Sequence, residues 1–345
     1  MSAIDAATLA KLMNGGTVTG VGSLPHRNVH SGVEAAFAGT DVPFIPTFPR
    51  LDPSEGMIAQ AVTGMVGISV DQYGSLLVDP ARIDPEAPVV TDLAHGAFSG
   101  YRAILDRLVT QEGEAQVSTI KWQFIGPVTL GQALERAGVS RDIAFDVAIK
   151  AVRSHVANLY AEIATVAPRV VQVVVIDEPD LASMMSETFP IAPDTAIDLM
   201  SSAMAAVEGD AIVGLHCCAP IDIVPLLAAG PALLSIPVSR HLGSHAGALA
   251  TFLERDGLIA WGVVPTDGPV MATAERSWRG LNKLWCELVQ EGCDALRLWR
   301  QSLLTPACGL ANHTVTTSDI IMSQVREIAE RIRTQAVATR LTVGA

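Results

Sequence analysis

The chain predicts an α/β protein, a (β/α)8 TIM barrel forming a single domain over residues 1–345. Three observations predict it. Eight short apolar or β-branched runs alternate with longer segments of helical spacing, as in a parallel sheet whose crossovers are helices. Most of these runs are near-continuously apolar, the pattern of strands covered on both faces. Polar residues recur just after the runs end, where barrels of this class gather their chemistry.

Residues 1–14 read as a lead-in to a first strand over Thr17–Val21, which runs into Gly22, Ser23 and His26. A second strand is expected over Val42–Thr47. The stretch 48–118 is too long for one crossover and reads as an extended insertion. It should hold a helix near Glu55–Val66, a small excursion at Tyr73–Val78 and a helix near Asp92–Leu108. The third strand, Thr119–Ile125, stops at Gly126-Pro127, and a helix follows over Arg141–Val166. The fourth, Val170–Ile176, ends on Asp177 and Glu178 and leads to a helix over Ala192–Val207 with Asp194 at its N-cap. The fifth is Ala211–His216; the sixth, Leu233–Val238, precedes Ser239 and Arg240 and a helix over Ala246–Arg255. The seventh, Leu258–Val264, stops at Pro265 with Asp267 just beyond, before a helix over Val270–Cys293. The eighth, Ser302–Thr305, leads to Cys308 and to a last helix over Thr317–Ala336, capped by Ser318.

Composition narrows the function. Apolar residues make up 49% of the chain, enough for a large core. The balance of 23 basic against 36 acidic residues, −13 net, argues against nucleic acid or an anionic membrane as partner. Five cysteines, an odd number without a close-spaced framework, fit a reducing compartment and so a cytoplasmic protein. Met1-Ser2-Ala3-Ile4-Asp5-Ala6 lacks the basic n-region of a secretory leader, and no apolar stretch has membrane-spanning length.

The strongest chemical signal is His216, Cys218 and Cys308. In an extended strand, His216 and Cys218 project to one face while Cys217 points to the other. An imidazole and two thiolates form a borderline-soft set that suits zinc, and three ligands leave a fourth tetrahedral position open. The alternative is a strand of core cysteines with an incidental histidine. Cys217 reads as core, as do Cys286 and Cys293, seven apart in a helical segment. Trp122 and Gln123, before the Gly126-Pro127 turn, read as core or pocket wall.

These residues, taken in order, resemble the C-terminal catalytic barrel of the cobalamin-independent methionine synthases. The wider superfamily also holds corrinoid-linked zinc methyltransferases and uroporphyrinogen decarboxylase. Gly22-Ser23-Leu24-Pro25 looks like the family's Gly-Ser-Phe-Pro loop, and Gly126-Pro127-Val128-Thr129 and Asp177-Glu178-Pro179 match two further motifs. His216-Cys217-Cys218 matches the His-x-Cys pair, and Pro306-Ala307-Cys308-Gly309-Leu310 the last ligand loop. The similarity runs from about residue 17 to the C-terminus.

The resemblance implies a zinc-dependent methyltransferase acting on a thiol, with homocysteine as acceptor and methionine as product. It implies Zn2+ on His216, Cys218 and Cys308, and Asp177 holding the ammonium of the amino-acid substrate. Glu55 would be a second carboxylate there, and Gly22 and Ser23 would supply donors to the substrate carboxylate. Three departures stand out. The family's second, N-terminal barrel is absent from this sequence. Pro237 occupies the position of the family's glutamate ligand, so His26, His241 or His313 are candidates for a fourth ligand. The family's proton-donating histidine is missing from Pro265-Thr266-Asp267-Gly268-Pro269, where Asp267 is the one ionisable group left for that role. These departures point to a methylcorrinoid or corrinoid protein as methyl donor in place of methyltetrahydrofolate. Two alternatives stay open: a metal-free lyase of the uroporphyrinogen decarboxylase type, and a non-catalytic binding paralogue. The first needs clustered arginines, where the N-terminal loop offers Arg27 and Arg50.

Overall fold

The computed structural model describes residues 6–110 and 117–343. Its main sheet is built from β1 (Thr17–Val18), β4 (Thr119–Ile125), β5 (Val171–Asp177), β6 (Ile212–His216), β7 (Leu233–Pro237), β8 (Leu258–Val264) and β9 (Ser302–Pro306). The order is β1-β9-β8-β7-β6-β5-β4, with every neighbouring pair parallel. β2 (Ile68–Val70) and β3 (Leu76–Val78) form a separate antiparallel pair within the 48–118 stretch.

The sheet is a curled half-barrel of seven strands, open between β1 and β4, and not the closed eight-stranded barrel expected from the sequence. The segment that fails to become a strand is Val42–Thr47. It makes isolated bridges alone, Phe44 with Lys121 and Thr47 with Ser23. Proline is the physical reason. Pro43 and Pro46 carry no N–H, so the ladder reduces to single bonds such as Ile45 N to Lys121 O at 2.9 Å. β1 is also shorter than its apolar run. At Gly20 the chain is pressed on the Phe44 ring, where an added Cβ would stand 2.2 Å from Cε1.

Several helix boundaries shift for identifiable reasons. Arg141–Val166 forms as expected. The next helix is Pro193–Met204, with Pro193 in its first turn and Ala192 at the N-cap; Asp194 lies in the first turn and does not cap. The C-terminal helix starts at Val315, because the Thr314 hydroxyl accepts from Thr317 N at 3.1 Å; Ser318 is buried one turn in. The segment expected as Val270–Cys293 is helical over Glu275–Gln290, and a short helix Ala295–Arg300 leads into β9. Cys286 is exposed on that helix and does not share the buried stripe with Cys293. Within 48–118 the helices are shorter than expected, Met57–Ala61 and Ser99–Val109. Of the N-terminal lead-in, Ala6–Leu12 is helical, while Met1–Asp5 lies outside the described residues. Among the described residues no helix is long and apolar enough to cross a membrane.

Two apolar layers result. Trp122, Val174, Leu215 and Trp261 face the helices, while Val173, Val175, Ile212, Leu233, Leu258 and Leu303 fill the concave side together with Leu12. The concave core is apolar along most strands, while β4 sets the polar Thr119, Lys121 and Gln123 on this side.

Glu178, directly after β5, fastens one helix to the end of that strand. Its carboxylate is fully buried and accepts from Val128 N at 2.9 Å, Thr129 N at 2.7 Å and Thr129 Oγ1 at 2.6 Å. These are the free amides at the start of helix Pro127–Arg136. Gly126 must be glycine here, since a Cβ would stand 2.1 Å from Glu178 Oε1. Burial pushes the Glu178 carboxyl up to about 7, against the pull of its three donors. Glu178→Ala would leave these amides unsatisfied in a dry site and open a cavity. The expected loss is about 2–4 kcal/mol of unfolding free energy, read from urea denaturation.

Candidate functional site

The C-terminal ends of β6 and β9 lie three places apart in the sheet, and its curl brings them together. His216 is the last residue of β6, Cys218 follows two residues later, and Cys308 lies two residues beyond β9. One ligand atom from each comes within 4.8 Å of the others, so the three side chains could hold a metal ion. His216 is buried and the two cysteines are half-buried. Cys217 is wholly buried on the helix side, as strand alternation requires.

The donor set fits a metal on grounds independent of its spacing. His216 Nδ1 lies 2.9 Å from Ser235 Oγ, its partner in the β6–β7 register. With the Nδ1 proton donated to that hydroxyl, the Nε2 lone pair is free. Nε2 is buried and has no hydrogen-bond partner. A buried polar atom left this way costs about 1–3 kcal/mol, which coordination would offset. The thiols are matched as well. The neighbouring Cys308 thiol holds the Cys218 thiol well below its usual range, and the same contact pushes Cys308 up.

None of the three histidines considered as a fourth ligand joins this group. His26 is buried with Nδ1 unpartnered, His241 packs edge-on to His245 at 4.8 Å, and His313 Nε2 lies 3.0 Å from Thr266 O. Pro237 closes β7 opposite Gly262 and offers no donor.

Asp177, the last residue of β5, pairs in register with His216. Its side chain is buried; Oδ2 accepts from Gln123 Nε2, and Oδ1 has no partner. Burial pushes this carboxyl up to about 6, opposed by His216, Lys121 and Gln123. Ser23 packs against the Cys308 loop. A Cβ on Gly309 would stand 2.1 Å from Ser23 Oγ, and Leu310 N donates to Ser23 O at 2.7 Å. Gly22 is buried against Gln123.

The remaining sequence candidates lie elsewhere. Glu55 is buried, with one oxygen accepting from Phe48 N at 2.5 Å and the other from Ser99 Oγ. Burial raises its pKa. Glu55 also lines a small cavity with Thr47, Tyr101 and Gln123. Asp267 is exposed on the loop after β8.

No protein-family model matches this chain, and no curated protein matches it. Its fold does match solved structures. One is a crystal structure from Listeria monocytogenes of a protein provisionally named a vitamin-B12 independent methionine synthase. The TM-score is 0.50 at 14% identity, over 80% of this chain and 76% of that one. At this identity the likeness concerns fold alone.

Sequence reasoning missed Ser235 and Lys121. Ser235 carries no signal until the β6–β7 register sets it beside His216. Lys121 had one, because β4 alternates polar Thr119, Lys121 and Gln123 with apolar Ile120, Trp122 and Phe124. In a strand covered by helices, that alternation marks a polar concave face.

Ser235→Ala should lower metal affinity roughly 10–100-fold with the fold intact, as loss of a ligand's hydrogen-bond partner does. Competition against a chromophoric chelator measures it. Ser235→Thr, which keeps the hydroxyl, should restore most of the affinity.

Proposed function

We propose that the protein is a zinc-dependent methyltransferase with a thiol acceptor, homocysteine being the acceptor that the site's chemistry fits best. The observation that carries this reading is the His216–Cys218–Cys308 cluster, with its buried and unpartnered Nε2, beside the free Oδ1 of Asp177. His216, Cys218 and Cys308 would hold the ion. Zinc bound there would lower the pKa of a coordinated thiol, so that the acceptor is ionised at neutral pH.

The chain's own residues supply the rest. Asp177 Oδ1 is a buried acceptor with nothing to accept from, which suits a substrate ammonium. The Gly22–Ser23 turn beside the Cys308 loop would face the substrate carboxylate with a hydroxyl and backbone donors. In the transfer, a lone pair of the acceptor sulfur would form the bond to the methyl carbon while the electron pair of the breaking bond leaves with the donor; the thiol proton would already have passed to solvent on binding. Asp267, exposed on the loop after β8, is the candidate for the proton-donating role toward the donor. We take the donor to be a methylcorrinoid. The decarboxylase reading is less well supported, because Arg27 is exposed and Arg50 donates to Asn312 O at 3.0 Å.

Elemental mass spectrometry on protein purified without chelator should give about one zinc per chain, and little in Cys308→Ala. The zinc protein should convert L-homocysteine to methionine with methylcobalamin as donor, or with methyltetrahydrofolate if the donor assignment is wrong. A folded parent without zinc, or a zinc protein that turns over with neither donor, would sink the reading. Asp177→Asn should keep zinc and raise the homocysteine KM by roughly tenfold or more, the scale of a charge-assisted hydrogen bond.

A further inference from the structure

Lys121 is the third residue of β4 and is 2% exposed on the concave side of the sheet. An ammonium has three donors and no acceptor. Here it donates to Val21 O at 2.8 Å and to Gln123 Oε1 at 2.6 Å. Burial lowers its pKa to about 8, opposed by nearby Asp177, so the group is still mostly charged at neutral pH. Taking an ammonium out of water carries a desolvation cost, so a buried charge is by itself weak evidence of a purely stabilising role.

Its neighbours show what it organises. Lys121 can only donate and the Asp177 carboxylate can only accept, so the amide between them has one workable orientation. Gln123 must turn Oε1 to the lysine and Nε2 to Asp177 Oδ2. That commits Oδ2 and leaves Oδ1 as the free acceptor. On its other side Lys121 fixes the carbonyl just before Gly22 and Ser23. Gly22 lies so close to Gln123 that a Cβ would stand 3.0 Å from its Cδ. One buried cation therefore spans the opening between β1 and β4 and reaches both groups assigned above to the amino-acid head of the acceptor.

We propose that Lys121 is a positioning residue which, through Gln123 and the Val21 carbonyl, sets Asp177 and the Gly22–Ser23 turn to select an acceptor with an amino-acid head over a plain thiol. This rests on the thiol-methylation reading of the site.

The test is isothermal titration of zinc-loaded parent, Lys121→Met and Gln123→Met with L-homocysteine and, separately, 2-mercaptoethanol. Both variants should bind homocysteine about tenfold or more weakly, the scale of a lost charge-assisted bond. Their affinity for 2-mercaptoethanol should stay within about twofold, since that thiol lacks the ammonium and carboxylate. Equal losses for both thiols would mean a merely structural lysine, and unchanged homocysteine affinity would mean no role; either overturns the proposal. Should Lys121→Met fail to fold, Gln123→Met decides alone, because it cuts the link to Asp177 and keeps the bond to Val21. A zinc-loaded parent that does not bind homocysteine would overturn the functional reading and this inference together. Binding in the parent with unimpaired variants would overturn this inference only.

Discussion

Charge held in a dry place is the constraint on which the site depends. Asp177, Glu178 and Lys121 are buried, and for each, desolvation is the largest influence on its pKa, raising the carboxyls and lowering the ammonium. Each is tolerated because specific partners stand against it. Strand alternation divides the labour between the two acids. Glu178 turns toward the helices and gathers the free amides of helix Pro127–Arg136. Asp177 turns to the concave side, where one oxygen is satisfied by Gln123 and the other by nothing. Adjacent carboxylates at the end of one strand thus do different work: one closes a structural account of donors, and the other leaves an acceptor open.

Much of the architecture could be read from apolar runs. The central strands and the Arg141–Val166 helix stand where periodicity set them. Val42–Thr47 could be misread because hydrophobicity and hydrogen-bonding capacity part company there. The segment is apolar enough for a buried strand, but its prolines withhold donors a ladder needs, and the sheet stays open at that place. The cluster that could hold a metal was legible because His216 ends one strand with Cys218 two residues on, and Cys308 follows another strand end. Lys121 and Ser235 were not, because their importance arises from register. Ser235 matters only as the residue opposite His216, and Lys121 only as the group that reaches across the gap to Val21.

The opening in the sheet has a chemical consequence. β1 and β4 are its edges, and the groups assigned to the amino-acid head belong to the turn after β1 and to the end of β5, beside β4. A continuous ladder would hold those edges in register by backbone bonds. Here isolated bridges and single hydrogen bonds do so, which leaves the relative position of the two anchors to side chains. A lysine whose donors reach both edges is one way to fix that distance without a strand. Its cost in desolvation is then the cost of defining a pocket at a place where the backbone does not define one.

Cys217 and Cys218 show how finely the same chemistry can be divided. They are neighbours in sequence and identical in covalent structure. Cys217 is buried among apolar groups on the helix side, and its thiol is pushed up to about 12, so it stays protonated and serves as packing. Cys218 turns the other way, toward Cys308, and its thiol moves down. A thiolate, and not a thiol, binds metal or attacks carbon. The half-turn of one residue in an extended chain is therefore enough to decide which of two sulfurs reaches the His216–Cys308 cluster. It also explains why Cys218 and not Cys217 joins His216: with the cysteine one position earlier, the sulfur would lie in the helix-side core, away from Cys308.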